Sequence, residues 1–251
     1  MDTATLLEMR VAAGLWVMAI FLKAQPVAGP AQPFPTERLT YDVEWRLIHA
    51  GQATLDSRSN WARIRLQSAG LVSALFKVDD TYSVNFEDPY CATDSVMDSQ
   101  EGRRHRNTLV QFDRAQNHAF YTERDLPGNE VVRTDSVATP NCVHDIIGAL
   151  LTLRRIAIQP GTTIELPLSN GRRSASVKVA AQEREDIITK AGKFKTIRFE
   201  VDVLNGVVYQ RKGRAWVWIS DDAKRLPVQI RLRMSFPVGT VTLGLEKEGT
   251  E

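Results

Sequence analysis

The segment Tyr41-Asp42-Val43-Glu44-Trp45-Arg46-Leu47 carries the pattern that decides the fold. Apolar residues occupy every second position, and charged residues stand between them. Side chains of a β-strand point alternately to the two faces of a sheet, so this pattern predicts a strand with one buried face. Ala50-Gly51 interrupts the pattern and Ala53 and Leu55 resume it, which predicts a hairpin at the start of the domain.

The same two-residue period recurs along most of the chain. Asn170-Gly171 is the strongest hairpin signal, because an Asn-Gly pair suits the positive φ angles of a type I′ turn. Pro167 places the strand before that turn at a sheet edge. Residues 215–219 are apolar on both faces, which predicts a central strand or one covered on both sides. Other predicted strands are 61–66, 82–86, 109–112, 119–121, 130–132, 197–203, 228–234 and 241–245.

One segment has a helical period instead. Val143, Ile146, Ile147, Leu150 and Leu151 recur at the spacing of one helix face, with Thr139-Pro140 as the N-terminal signal and Arg154 and Arg155 near the C-terminus. This predicts an amphipathic helix over 140–155. The predicted fold is therefore mainly all-β: a curved antiparallel sheet, as an open β-barrel or a sandwich, with one packed amphipathic helix.

The beginning of the chain has the layout of an export signal. Met9-Arg10 precedes the apolar run Val11–Leu22, and small and proline residues follow from Ala24. We therefore expect a signal peptide over 1–24, a Pro-rich linker over 25–37 and a single β-rich domain over 38–248, in a periplasmic or secreted protein. The acids Asp2 and Glu8 do not suit a signal unless translation starts at Met9, and an uncleaved membrane anchor or a buried helix are the alternatives.

The net charge and the cysteine count limit the classes of partner that the sequence predicts. The chain has 251 residues and a formal net charge of +2, which is too small to predict a nucleic-acid partner. Any membrane contact is expected only through the signal segment, and the sequence leaves the oligomeric state open. Two cysteines, Cys91 and Cys142, are expected to form a disulfide in an oxidising compartment, and no metal-ligand spacing surrounds them.

No catalytic or cofactor motif is present, so no cofactor and no catalytic residue is predicted. Trp45, Trp216 and Trp218 stand in predicted strands, and they either fill the core or line an apolar cavity that holds a lipid or another apolar ligand. The alternatives are a hydrolase of envelope polysaccharide that uses carboxylates, and a structural or assembly role. The candidate carboxylates are Asp79, Asp80, Asp221 and Asp222.

Four segments together resemble a known bacterial exported family, domain of unknown function 3108. They are 39–53 (LTYDVEWRLIHAGQA), 158–167 (IQPGTTIELP), 190–196 (KAGKFKT) and 217–228 (VWISDDAKRLPV). The resemblance covers about residues 37–247. It implies an envelope or secreted protein with a β-rich fold similar to the open barrels of lipoprotein carriers. The family has no established catalytic residues to carry over.

Overall fold

The computed structural model describes residues 36–206, 208–209, 212–235 and 238–249. The predicted signal peptide and the predicted linker up to residue 35 lie outside these ranges. Glu37, the last residue of that predicted linker, is the first residue of the first strand. Across the described ranges, no helix has both the length and the apolar character needed to cross a bilayer.

The described residues form fourteen strands and two helices. The first eight strands are β1 Glu37–Trp45, β2 Ile48–Arg58, β3 Trp61–Ser68, β4 Val78–Glu87, β5 Cys91–Glu101, β6 Arg104–Asp113, β7 His118–Asp125 and β8 Glu130–Ala138. The last six are β9 Thr163–Ser169, β10 Ser174–Thr189, β11 Gly192–Val201, β12 Gly213–Ser220, β13 Pro227–Met234 and β14 Thr240–Gly249. Helix α1 spans Gly70–Leu75 between β3 and β4, and helix α2 spans Ile146–Arg155 between β8 and β9.

All fourteen strands belong to one antiparallel sheet, in the order β8-β7-β6-β5-β4-β3-β2-β1-β14-β13-β12-β11-β10-β9. Strand β1 joins the two halves because it pairs with both β2 and β14. The edges are β8 and β9, so the sheet is not closed. This confirms the prediction of a mainly β fold with a curved antiparallel sheet and one packed amphipathic helix.

Strand alternation divides the sheet into an inner and an outer face. Leu39, Tyr41 and Val43 of β1 are buried on the inner face, where they join a cluster that extends across β2 to β7. A second inner cluster covers β9 to β12 and includes residues of α2. Helix α2 therefore lies inside the curve of the sheet and packs against both halves.

The helix prediction was right about α2 but wrong about where it begins. Val143 and His144 are extended: the Val143 carbonyl accepts from Ala92 N–H, and His144 forms a parallel bridge with Leu168 of β9. The N-cap is Asp145, whose carboxylate accepts from the N–H groups of Ile147 and Gly148. Tertiary pairing of the residues before Asp145 outweighs the helical period in the sequence.

The hairpin between β9 and β10 is confirmed, but its turn differs from the prediction. Residues 170–173 form the loop, and of the Asn-Gly pair only Gly171 has a positive φ, 82°. Asn170 Oδ1 accepts instead from the N–H groups of Arg172 and Arg173. Pro167 lies in β9, an edge strand, as predicted.

The predicted disulfide is present between Cys91 and Cys142, with 5.0 Å between their Cα atoms. Cys91 begins β5, and Cys142 lies just before the extended residues that lead into α2. Next to it, His144 Nδ1 lies 2.8 Å from the Tyr90 carbonyl oxygen. The disulfide and its neighbours thus fasten the entry of α2 to the first half of the sheet.

Candidate functional site

The structure separates the three tryptophans that the sequence analysis grouped. Trp45 is on the inner face, partly buried against the first core cluster, and its indole N–H donates to Val238 O at 2.5 Å. Trp216 and Trp218 point to the outer face, because Ala215, Val217 and Ile219, which alternate with them along β12, are in the second inner cluster. The three tryptophans therefore do not share one face of the sheet, and ligand binding by these residues stays a prediction.

An apolar cavity does exist, on the inner face. It has a volume of about 180 Å³ and lies between α2 and the second half of the sheet. Every residue that lines it is aliphatic, including Ile146 and Leu150 of α2 and Val217 of β12. The full lining is Ile146, Ala149, Leu150, Leu153, Leu166, Leu168, Val177, Val179, Val201, Val203, Ala215, Val217, Ile230 and Leu232.

A second inner cavity of about 410 Å³ lies against the first half of the sheet. Ile146 lines both cavities and therefore stands at their junction. The second cavity combines apolar side chains with polar groups, among them the hydroxyls of Tyr82 and Tyr121 and the guanidinium of Arg172. An amphiphilic molecule could thus place its chain beside α2 and its polar end in the second cavity.

The polar wall of the second cavity is held by the helix cap. Tyr82 lines the cavity and donates its hydroxyl to Asp145 Oδ2 at 2.9 Å. Burial raises the pKa of the Asp145 carboxyl, although the hydrogen bonds from Gly148, Ile147 and Tyr82 act to lower it. Burial also raises the pKa of Tyr82 well above its usual value, so its hydroxyl stays neutral and remains a hydrogen-bond donor.

Trp216 and Trp218 line a different feature, a groove of about 880 Å³ on the outer face. We call it the arginine groove, because five of its lining residues are arginines: Arg46, Arg198, Arg214, Arg231 and Arg233. The other lining residues are Glu44, Leu47, Trp216, Trp218, Gln229, Gly239, Thr240 and Thr242. This surface is cationic and aromatic.

The indole rings of the groove are covered by guanidinium groups. Arg214 Cζ lies 4.7 Å from the ring centroid of Trp216, and Arg231 Cζ lies 5.2 Å from that of Trp218. The indole N–H of Trp218 donates to Glu185 Oε1 at 2.7 Å. The two tryptophans therefore support the arginines and do not form a bare apolar wall.

Three of the four acids of the hydrolase alternative have structural partners, whereas Oδ1 of Asp80 is buried without a hydrogen-bond partner among the described residues. Asp79 accepts two hydrogen bonds of 3.0 Å from Arg65, and Asp221 accepts one of 2.7 Å from Arg184. Asp222 accepts from the N–H groups of Lys224 and Arg225 in the turn after β12. Five strands lie between β4, which holds Asp79 and Asp80, and β12, so the two acidic pairs do not share a site.

No three His, Cys, Asp or Glu side chains within the described ranges are grouped to hold a metal ion. The sequence analysis missed the arginine groove, although the signal was present. Arg231 and Arg233 are two residues apart in one strand, and Arg214 and Trp216 show the same spacing in its neighbour. Arginines at every second position of a strand lie on the same face of the sheet. Such a row of arginines, next to a strand that is apolar on both faces, indicates that the outer face is cationic.

Residues 40–246 match the profile of a family described as protein of unknown function, DUF3108. The chain belongs to this family. The match begins within β1 and ends within β14, so the DUF3108 domain includes all the other strands and α2.

Among solved structures, the DUF3108 chain is similar to a β-barrel-like protein of domain of unknown function DUF1849 from Brucella abortus. The TM-score is 0.56 at 8% identity, with 86% of this chain and 98% of that chain covered. A DUF1089 family protein from Pseudomonas aeruginosa matches with a TM-score of 0.39 at 11% identity, over 88% of this chain and 95% of that one. The first likeness shows a shared fold. A comparison with curated protein sequences gives no match.

Proposed function

We propose that the protein is a non-enzymatic, extracytoplasmic binding protein that holds the apolar chain of a lipid between α2 and the inner face of the sheet. The wholly aliphatic lining of the cavity beside α2 carries this proposal. A cavity lined only by aliphatic side chains favours apolar molecules as ligands. The adjoining cavity of about 410 Å³ is within the usual size range of ligand pockets, and Ile146 links the two.

The sequence supports the extracytoplasmic location. Residues 9–28 have the layout of an export signal, and the Cys91–Cys142 disulfide belongs to oxidising compartments. The structural partners of Asp79, Asp221 and Asp222 favour binding over hydrolysis.

Binding of a fluorescent fatty acid, 11-(dansylamino)undecanoic acid, tests the proposal. The probe is titrated into protein recovered without detergent from the periplasm after expression of the full-length chain. We expect the dansyl emission to increase and shift to the blue as the probe enters an apolar site.

Ile146→Trp provides the decisive variant. The Ile146 side chain is partly exposed at the junction of the cavities, so a larger ring can occupy that space without displacing the core. We expect probe affinity to fall about tenfold. Ile188→Trp, the same change at an exposed position on β10, is the matched control and should bind as the wild type does. Failure of the wild type to bind, or equal binding by both variants, would overturn the proposal.

A further inference from the structure

The arginine groove lies on the opposite face of the sheet from the proposed lipid cavity, and its charges are only partly neutralised. Arg198 pairs with Glu183 and Glu185, and Arg214 pairs with Glu200 at 2.7 Å. Arg231 and Arg233 are exposed, and among the described residues no carboxylate lies within ion-pair distance of either. Glu44 is the one carboxylate among the residues that line the groove, and it forms no ion pair with Arg231 or Arg233.

The strand register brings two like charges of the groove together, although Glu200 also pairs with one of them, Arg214. Arg214 of β12 is directly opposite Arg233 of β13, and like charges at directly opposed positions destabilise a sheet. The next pair along is Trp216 opposite Arg231. Thr240 and Thr242 of β14 oppose Arg233 and Arg231 on the other side, adding hydroxyl groups beside the guanidiniums. A bound anion would relieve the repulsion and gain hydrogen bonds from both residue types.

We propose that this groove is a binding site for phosphate oxyanions, held by Arg231 and Arg233. A guanidinium offers paired N–H donors that match the geometry of phosphate, and Trp218 holds Arg231 in place by ring stacking. The source is either a free phosphate compound or the headgroup of an anionic lipid. Leu47 lines the groove and is 90% exposed, so a membrane surface could approach this end of it.

Two titrations distinguish the sources. Sodium pyrophosphate is titrated by calorimetry into the periplasmic protein, and in parallel the protein is sedimented with vesicles of phosphatidylglycerol and phosphatidylcholine or of phosphatidylcholine alone. Binding in the first titration indicates a free phosphate compound. Binding only to the vesicles that contain phosphatidylglycerol indicates a lipid headgroup. Either result supports the proposed site if binding is weakened when Arg231 and Arg233 are replaced.

The variant Arg231→Gln/Arg233→Gln should weaken that binding by about tenfold or more. The control Arg103→Gln/Arg124→Gln removes the same two charges at exposed positions elsewhere and should change affinity by less than about twofold. Arg233→Gln alone is included because Arg233, unlike Arg231, contacts no aromatic ring among the described residues. Equal loss in both double variants, no loss in the first, or no binding in either titration would refute the site.

This site is independent of the proposed lipid cavity, and the variants separate the two. Ile146→Trp changes the inner face and should leave phosphate binding unchanged. The Arg231 and Arg233 substitutions change the outer face and should leave binding of the dansyl fatty acid unchanged.

Discussion

Arg154 is a charged residue in the interior of the domain. It is 1% exposed and forms an ion pair with Glu37, which is itself buried at the start of β1. Its guanidinium also donates to the carbonyl oxygens of Arg225 at 2.8 Å and Lys224 at 3.2 Å. These contacts join α2 to β1 and to the turn between β12 and β13. From the sequence, Arg154 could be read only as a residue near the C-terminus of the predicted helix, since nothing local identifies Glu37 as its partner.

Glu37→Gln should destabilise the fold strongly, because it leaves the Arg154 charge buried without its counter-ion. Breaking a buried ion pair from one side costs about 3–5 kcal/mol, and we expect a loss of that order in the free energy of unfolding. Urea unfolding followed by circular dichroism measures it. Glu248→Gln removes the carboxylate of an exposed pair with Lys224 and serves as the control, with a much smaller expected effect. A similar loss in both variants would contradict the buried-pair argument.

At the scale of elements, α2 is positioned by contacts on each side of its N-cap. Gly148 allows the helix to approach the first half of the sheet closely, because a Cβ there would lie 2.8 Å from Tyr90 O. The disulfide fixes the chain before the cap, and it closes a loop with a sequence separation of 51. Both contacts hold α2 against the inner face, where it forms one wall of the aliphatic cavity.

Replacing both cysteines, Cys91→Ala with Cys142→Ala, should therefore affect α2 first. The loop-entropy relation predicts a loss of about 4 kcal/mol in the free energy of unfolding. We also expect the amides of 143–155 to lose more protection against deuterium exchange than those of β12 and β13, because α2 can then open locally as well as by global unfolding. Hydrogen exchange followed by mass spectrometry measures both regions. Uniform loss of protection across the sheet would show that the disulfide does not act locally on α2.

The strands could be predicted from the sequence because the two-residue alternation of apolar and polar side chains is visible within each strand. Alternation at Tyr41 to Trp45 is sufficient to indicate β1, and the Pro167 ring is sufficient to place β9 at an edge. The start of α2 could not be predicted, since the residues before Asp145 pair with β5 and β9. Short helix α1 was missed because its residues Gly70–Leu75 bury no side chain and have no helical stripe.

The candidate site was harder to predict for a different reason. The alternation of side chains along a strand shows that Trp216 and Val217 point to opposite faces of the sheet. It does not show which of those faces is the inner one. In a strand that is apolar on both faces, only the position of α2 settles the question. The helix packs on Ala215 and Val217, so the tryptophans are left outside, beneath arginines.

At the scale of the whole molecule, the sheet is open along the seam between β8 and β9. The loop after β9 reaches across it: Arg172 donates to Asp135 of β8 at 2.9 Å, and its guanidinium lies 5.6 Å from the ring centroid of Tyr121 in β7. Gly171 in that loop is so close to Val110 of β6 that an added Cβ would lie 2.6 Å from its side chain. The two ends of the sheet therefore meet through side chains, without a strand ladder.

Arg172→Ala should loosen this seam, because it removes the ion pair and the ring contact that link the two ends of the sheet. The residue also lines the second inner cavity, so we expect faster hydrogen exchange in β8 together with faster release of the dansyl fatty acid. Arg133→Ala is the matched control. Arg133 contacts the same Asp135 carboxylate at 2.5 Å, but Arg133 lies within β8. Its loss therefore does not separate the two edges of the sheet. If both variants release the probe at the wild-type rate, the fatty acid does not leave through the seam between β8 and β9. Its route out of the cavity must then lie elsewhere along the inner face.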